Sequence, residues 1–204
     1  MLKLKDVTIK EKTNIIIENC NIEIPSQSVI VTENSINTDI FSKTLAGLKS
    51  VQEGEISLTS NDDLKGNKRN IFYVIPEKYY KYVSNCSLIE LINILKISYT
   101  LKNFPLLEKY NISPKDKYYT FTNFGKFLYL IVLGKMLKKS IFLLDQPSKY
   151  FDYKDIENFN IFLKEDFDDM NYIIFTNRYE NVFSLLDKPL YSILNKKLVI
   201  IERR

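Results

Sequence analysis

The sequence predicts an α/β fold with a largely parallel central sheet, preceded by an antiparallel β part and interrupted by a small helical segment. Three features predict it. The first 25 residues carry only strand-like patterning. From residue 28 onward short apolar runs alternate with stretches of helical period, the arrangement that builds parallel sheets from crossover units. Between residues 87 and 119 helix follows helix with no strand between them.

The elements are read in order. Leu2, Leu4, Val7 and Ile9, then residues 15–17 and 22–24, read as short strands separated by a charged turn at residues 10–12 and a polar turn at 19–21. Residues 28–32, SVIVT, make a buried-type strand. Residues 39–48 place Ile40, Leu45 and Leu48 on a helical period that ends near Gly47. Strands at 54–58 and 71–75 flank a polar, hairpin-like stretch at 60–70. Leu88, Leu91, Ile92 and Leu95 mark an amphipathic helix, and residues 101–110 a second before the turn at Ser113 and Pro114. A helix over 122–137 leads to an apolar strand at 141–144, a helix over 153–164, a strand at 172–176 and a closing pair at 191–194 and 198–201.

Composition narrows the function. The 204 residues are expected to form one domain, 1–204, with the helical part inserted at about 78–138, since no repeat or low-complexity tract divides the chain. The charge of +4, from 29 basic and 25 acidic residues, is spread along the chain, so no nucleic acid is expected as a partner. Cys20 and Cys86 have no metal-like spacing, and the first ten residues alternate instead of forming a signal-peptide block; a reduced, cytoplasmic setting is expected. The longest apolar run, residues 127–133, is far short of the roughly 20 residues that span a bilayer. With no histidine and 5 glycines, the commonest general base and most phosphate-cradling loops are excluded.

Three segments in fixed order carry a family resemblance: SVIVTENSINTDIFSKTLAGLKSVQEGEISL at 28–58, SIFLLDQPSKYFD at 140–152, and YIIFTNRYENVFSLLDKPLYSILNKKLV at 172–199. They resemble the phosphate-loop and "LAGL" passage, the "LLLDEP" strand with its "SGLD" loop, and the closing "THd" strand and hairpin of ABC transporter ATPases. With the first 25 residues, the resemblance spans essentially the whole chain. It implies a P-loop NTPase-like fold, a cytoplasmic subunit peripheral at the inner face of the membrane, and two partners: a transmembrane permease and a second nucleotide-binding subunit, identical or different.

Within the resemblance the catalytic positions depart from the family. A working G-x-x-x-x-G-K-[ST] loop wraps phosphates with backbone N–H groups, offsets their charge with Lys and holds Mg²⁺ with a hydroxyl. Aligned on Leu45-Ala46-Gly47-Leu48, the stretch here runs from Thr32 through Glu33, Asn34, Ser35, Ile36, Asn37, Thr38 and Asp39 to Ile40. The glycines are gone, Thr38 stands at the Lys position and Asp39 at the Mg²⁺ hydroxyl. A carboxylate about 4 Å from a phosphate oxygen is repelled by ~1 kcal/mol in water and ~4 kcal/mol at an effective dielectric of 20. On the plainer reading, Asn37 or Thr38 is an N-cap and Asp39, in the first turn, fills the anion position with the protein's own carboxylate.

Asp145 matches the aspartate that in the family holds the Mg²⁺ shell, whereas Gln146 replaces the glutamate that polarises water; a neutral amide is a poor base. Gln146 taken alone fits a substitution that traps ATP, while the lost Lys and glycines favour natural decay. Asn177 replaces the family's His near the γ-phosphate, and Glu77 stands where a Gln links nucleotide to permease. Residues 10–13 hold no aromatic ring to stack on adenine. The signature element aligns with Phe121-Thr122-Asn123-Phe124-Gly125, where Thr122 either completes a partner's site from a helix N-terminus or is only an N-cap, and Asn123 and Phe124 would crowd the approach. Asp152 occupies the D-loop position.

No catalytic residue and no metal are therefore expected; Asp145 is the ligand if Mg²⁺ is bound. ATP and Mg²⁺ come into question only through a residual site or one shared with a partner. The leading expectation is a degenerate transporter subunit, with compact exporters of peptides or antimicrobial compounds as an analogy of size and fold. A soluble regulatory protein on a retired ATPase fold and a weak ATPase are the alternatives; Tyr79, Tyr80 and Tyr82 fit an interface with a permease or with a soluble partner equally, or a solvated amphipathic turn.

Overall fold

The computed structural model describes residues 1–32, 34–58, 70–75, 83–98, 104–167, 170–177 and 188–201. Two sheets form. A three-stranded antiparallel sheet has the order β2-β1-β4, with β1 at Leu2–Glu11, β2 at Asn14–Ile24 and β4 at Glu53–Leu58. A six-stranded sheet has the order β5-β6-β7-β3-β8-β9. In it, β5 (Ile71–Val74), β6 (Ile141–Asp145), β7 (Tyr172–Thr176), β3 (Ser28–Val31) and β8 (Leu190–Leu194) run parallel, and among the described residues only β9 (Lys197–Ile200) is antiparallel. This is the predicted α/β architecture, with an antiparallel N-terminal sheet and a mostly parallel core sheet.

The alternation of side chains along each central strand feeds two cores. Phe72, Val74, Phe142, Leu144, Tyr172 and Ile174 point to one face, where helices α4 (Asn123–Met136) and α5 (Tyr153–Glu165) cover them. Tyr73, Ile141, Leu143, Ile173 and Phe175 point to the other, against helix α1 (Ser35–Leu45) and the first sheet. The first face is aromatic: Phe124, Phe127, Phe151, Phe159 and Phe162 meet with ring centroids 5.3–6.4 Å apart. Gly134 lets α4 lie on this face, since a Cβ there would meet Phe142 at 2.5 Å and Phe72 at 2.8 Å.

Two short helices, α2 (Leu88–Ile94) and α3 (Pro105–Lys109), pack on the same side of α4, burying Leu88, Ile92, Phe104 and Leu107. Ser87 and Glu90 close a reciprocal capping box at the start of α2, and Lys117 Nζ lies 2.6 Å from the Glu90 carboxylate. Lys109 reaches Glu165 at 2.9 Å and Asp166 at 2.8 Å, pinning α3 to the end of α5.

Three expectations change. Residues 19–21 are not a turn but a bulge inside the continuous β2: Asn19 sits at φ 41°, and the Asn21 amide donates to Asp6 Oδ1 at 2.8 Å across the register shift. The second helix of the helical segment runs only over Pro105–Lys109, with residues 101–103 of the expected span outside the described residues. Helix α1 begins at Ser35 instead of near residue 39. Its end falls where Gly47 predicts, because Gly47, at φ 71°, donates to the Thr44 carbonyl at 2.9 Å while Leu48 donates to that of Lys43 at 2.8 Å. Among the described residues, no helix is long and apolar enough to cross a membrane.

Candidate functional site

Parallel sheets place their ligand sites outside the carboxyl ends of the strands. Here β3, β6 and β7 end at Val31, Asp145 and Thr176, and the first turn of α1 stands over them. The strand ends are locked together: Thr32 N–H donates to the Thr176 carbonyl at 2.9 Å, and Gln146 N–H to that of Phe175 at 2.8 Å. Two adjoining cavities open there, of about 480 and 290 Å³; both are lined by Ser35, Gln146, Lys149 and Tyr150. Asn177 lines the larger, and Asp39 and Asp145 the smaller.

The stretch that the resemblance aligns with a phosphate loop is helical from Ser35 onward. Asn34, with extended backbone, caps α1 by accepting the Asn37 N–H on Oδ1 at 2.9 Å, and its carbonyl takes the Thr38 N–H at 3.1 Å. The expectation of a cap at Asn37 or Thr38 is thus corrected by one turn. Without glycine at residues 32–38, nothing in the sequence interrupts helical backbone once Asn34 offers a cap. Thr38 is fully buried, its hydroxyl bonded to Thr32 Oγ1 and, at 2.9 Å, to the Asn34 carbonyl. Ile40 is buried in the aliphatic core and Ile36 is 66% exposed. Asp39 lies beyond the first turn in which it was expected; it lines the smaller cavity and binds Lys43 Nζ at 2.6 Å.

Asp145 is 6% exposed and held by neutral donors. Tyr73 Oη donates to Oδ2 at 2.5 Å, Ser42 Oγ to the same oxygen at 2.8 Å, and the Gln146 amide to Oδ1 at 3.3 Å. Burial pushes the Asp145 carboxyl above the usual range, although these hydrogen bonds pull the other way. Burial, then the facing carboxylate, likewise raises the Tyr73 phenol. Gln146 holds a left-handed backbone, φ 45°, sparsely populated for a residue other than glycine. Its amide turns back on Asp145.

The signature-like segment starts a helix, as its sequence predicts. Thr122 is exposed and caps α4, accepting the Gly125 N–H at 3.1 Å. Phe124 does not crowd the approach as expected, because it is 2% exposed and points into the aromatic core. Asn123 donates its amide to the Tyr150 carbonyl at 2.6 Å, joining this element to the loop after β6. Gly125 is needed where it is, since a Cβ would lie 2.9 Å from that of Phe121. Asp152 caps α5, accepting the Asp155 N–H at 2.8 Å. Glu77, Tyr79, Tyr80 and Tyr82 lie outside the described residues. Among the described residues, no group of three or more His, Cys, Asp or Glu side chains is placed to hold a metal ion.

Sequence motifs missed Tyr73, Ser42 and Lys149. The available signal for the first two was a hydroxyl on the inward face of a strand and of a helix, both beside a strand ending in aspartate.

No family model matches the chain, and no curated protein matches its sequence. Solved structures do match its fold. MJ0796, a bacterial ABC transporter cassette in dimeric form, superposes with a TM-score of 0.68 at 18% identity, over 100% of this chain and 97% of that one. For cbiO1 from Clostridium perfringens, part of the ABC transporter complex cbiONQ, the TM-score is 0.74 at 14% identity, over 97% and 86%. A nucleotide-free ATP-binding cassette from an ABC transporter gives 0.71 at 16%, over 98% and 89%. The chain has the fold of an ATP-binding cassette from end to end.

Proposed function

We propose that the chain is a non-catalytic ATP-binding-cassette subunit of an ABC transporter, seated at the cytoplasmic face of the membrane beneath a permease and paired with a second nucleotide-binding subunit. One observation carries this reading. On a cassette fold, α1 begins at Ser35, inside the stretch that the resemblance aligns with the phosphate loop, and Thr38, aligned with the charge-offsetting lysine, is buried. Gln146 at the position of the water-polarising glutamate supports it, since an amide removes no proton. The neighbours support the partners: MJ0796 is dimeric and cbiO1 is part of a transporter complex. Thr122, exposed at the start of α4, is the residue this chain offers to a site completed on the other subunit.

Affinity purification of the tagged chain from gently solubilised native membranes tests the reading. The expected result is a polytopic permease with an intact nucleotide-binding subunit. A soluble monomer with no membrane partner sinks it in favour of a soluble regulatory protein. Turnover of MgATP by the purified chain, lost in Asp145→Asn, overturns the non-catalytic assignment.

A further inference from the structure

Asp145 is the position at which the fold family holds a magnesium ion, and its surroundings here do not fit one. Mg²⁺ demands near-octahedral oxygen ligands at about 2.0–2.1 Å and keeps several of its own waters. Such an ion needs open carboxylate lone pairs and room beside them. At Asp145 Oδ2 that room holds two protein hydroxyls: Tyr73 Oη at 2.5 Å and Ser42 Oγ at 2.8 Å, themselves 2.8 Å apart. Both lone pairs of Oδ2 are engaged, and Oδ1, whose carboxylate lines the smaller cavity, takes the Gln146 amide at 3.3 Å on one of its own. Tyr73 is 4% exposed and Ser42 fully buried, so neither hydroxyl has water waiting to replace its partner.

The three groups come from three elements. Ser42 lies in the body of α1, Tyr73 on β5, and Asp145 at the end of β6, whose Leu143 pairs with Tyr73. A phenol on the neighbouring strand thus reaches over the strand end and binds the helix to it.

We propose that the Tyr73 and Ser42 hydroxyls have taken the place of a metal ion at Asp145, joining α1 to the sheet without Mg²⁺ or nucleotide. This rests on reading the chain as a cassette, because only that reading makes Asp145 a metal position. It goes further in naming the residue responsible: the sequence departures in the loop remove the phosphate site, and Tyr73 separately closes the cation site. Restoring lysine and glycines would therefore leave the metal still excluded.

The test is a Mn²⁺ titration of the purified full chain, followed by the electron paramagnetic resonance of free Mn²⁺, alongside thermal unfolding with and without MgATP. In the wild type no Mn²⁺ site that depends on Asp145 is expected at millimolar ion, and MgATP leaves Tm unmoved. Tyr73→Phe and Ser42→Ala each lower Tm by about 5 °C, and the double variant loses less than the two losses combined, because the hydroxyls serve one carboxylate. A wild-type Mn²⁺ site abolished by Asp145→Asn overturns the proposal, as does an unchanged Tm in both single variants. Ser42→Ala keeps the test open if the Tyr73 variant fails to fold. Failure here leaves the transporter reading standing, since co-purification with a permease decides that separately.

Discussion

Helices α1 and α4 begin at corresponding kinds of place, each at an edge where the resemblance puts phosphate, and they differ in how far they reach. In α4 the cap Thr122 stands where the signature-like segment predicts, and Phe124, two residues on, is anchored among four aromatic neighbours, Tyr110, Phe127, Phe151 and Phe162. In α1 the body is anchored by Ile40, Phe41 and Leu45, while the turn before them is polar and half-exposed. A helix start nailed to a core keeps its register when its glycines change. The start of α1, with no glycine at residues 32–38, runs back toward the preceding strand as far as the first good cap, Asn34.

The most severe way to break this comparison is Thr38→Lys. It forces an ammonium into a fully buried position between Thr32 and the Asn34 carbonyl, and stability should fall on the order of 4 kcal/mol in urea unfolding, with no nucleotide binding gained. Tight MgATP binding by a stable Thr38→Lys protein would show that the loop can still open. Next in size, Asn34→Ala and Thr122→Ala each remove one side-chain cap and should each lose about 1 kcal/mol. A loss at Thr122 but none at Asn34 would mean that the α1 turn is not fixed by its cap. Added Thr122→Ala damage to a co-purified partner's ATP turnover would mark Thr122 as facing that partner's phosphate.

A smaller effect belongs to Asp39. Its pair with Lys43 is partly exposed on the helix surface, so a double-mutant cycle over Asp39→Ala and Lys43→Ala should return about 0.3–0.5 kcal/mol. A coupling several times larger would restore Asp39 to a role in the site. The smallest signal lies at α2. Lys117, with the Ser87 backbone, holds the Glu90 carboxyl below the usual range. A depressed folded pKa adds stability that is present above the ordinary glutamate pKa and lost as pH falls through the lower folded value. Protection of the α2 amides, taken relative to the intrinsic exchange rate at each pH, should therefore fall across that acidic window in the wild type, and Glu90→Gln should flatten the response.

The fold was legible in the sequence because its carriers are periodic. Alternating Phe72, Tyr73 and Val74 name both faces of a strand, and Gly47 marks a helix end that only a residue comfortable at positive φ makes cheaply. The missing glycines and lysine of the phosphate-loop pattern were legible too. The structure that this stretch adopts was not. Motif alignment assumes that each position keeps its place in space, so it set Asp39 at the ligand and left Thr38 as a surface cap. A helix start that slides by one turn breaks that assumption without altering a single letter of the alignment. Tyr73 was hidden for a different reason: it belongs to no motif, and its meaning arises only when β5 is laid beside β6.

The burial of Thr38 also couples one position to several others. Around it a hydroxyl pair, a cap and a helical turn depend on one another, so a lysine placed there alone would meet a closed interior before it met any phosphate. To reach solvent its ammonium would have to unwind the start of α1, and the Thr32 contact and the Asn34 cap would go with it.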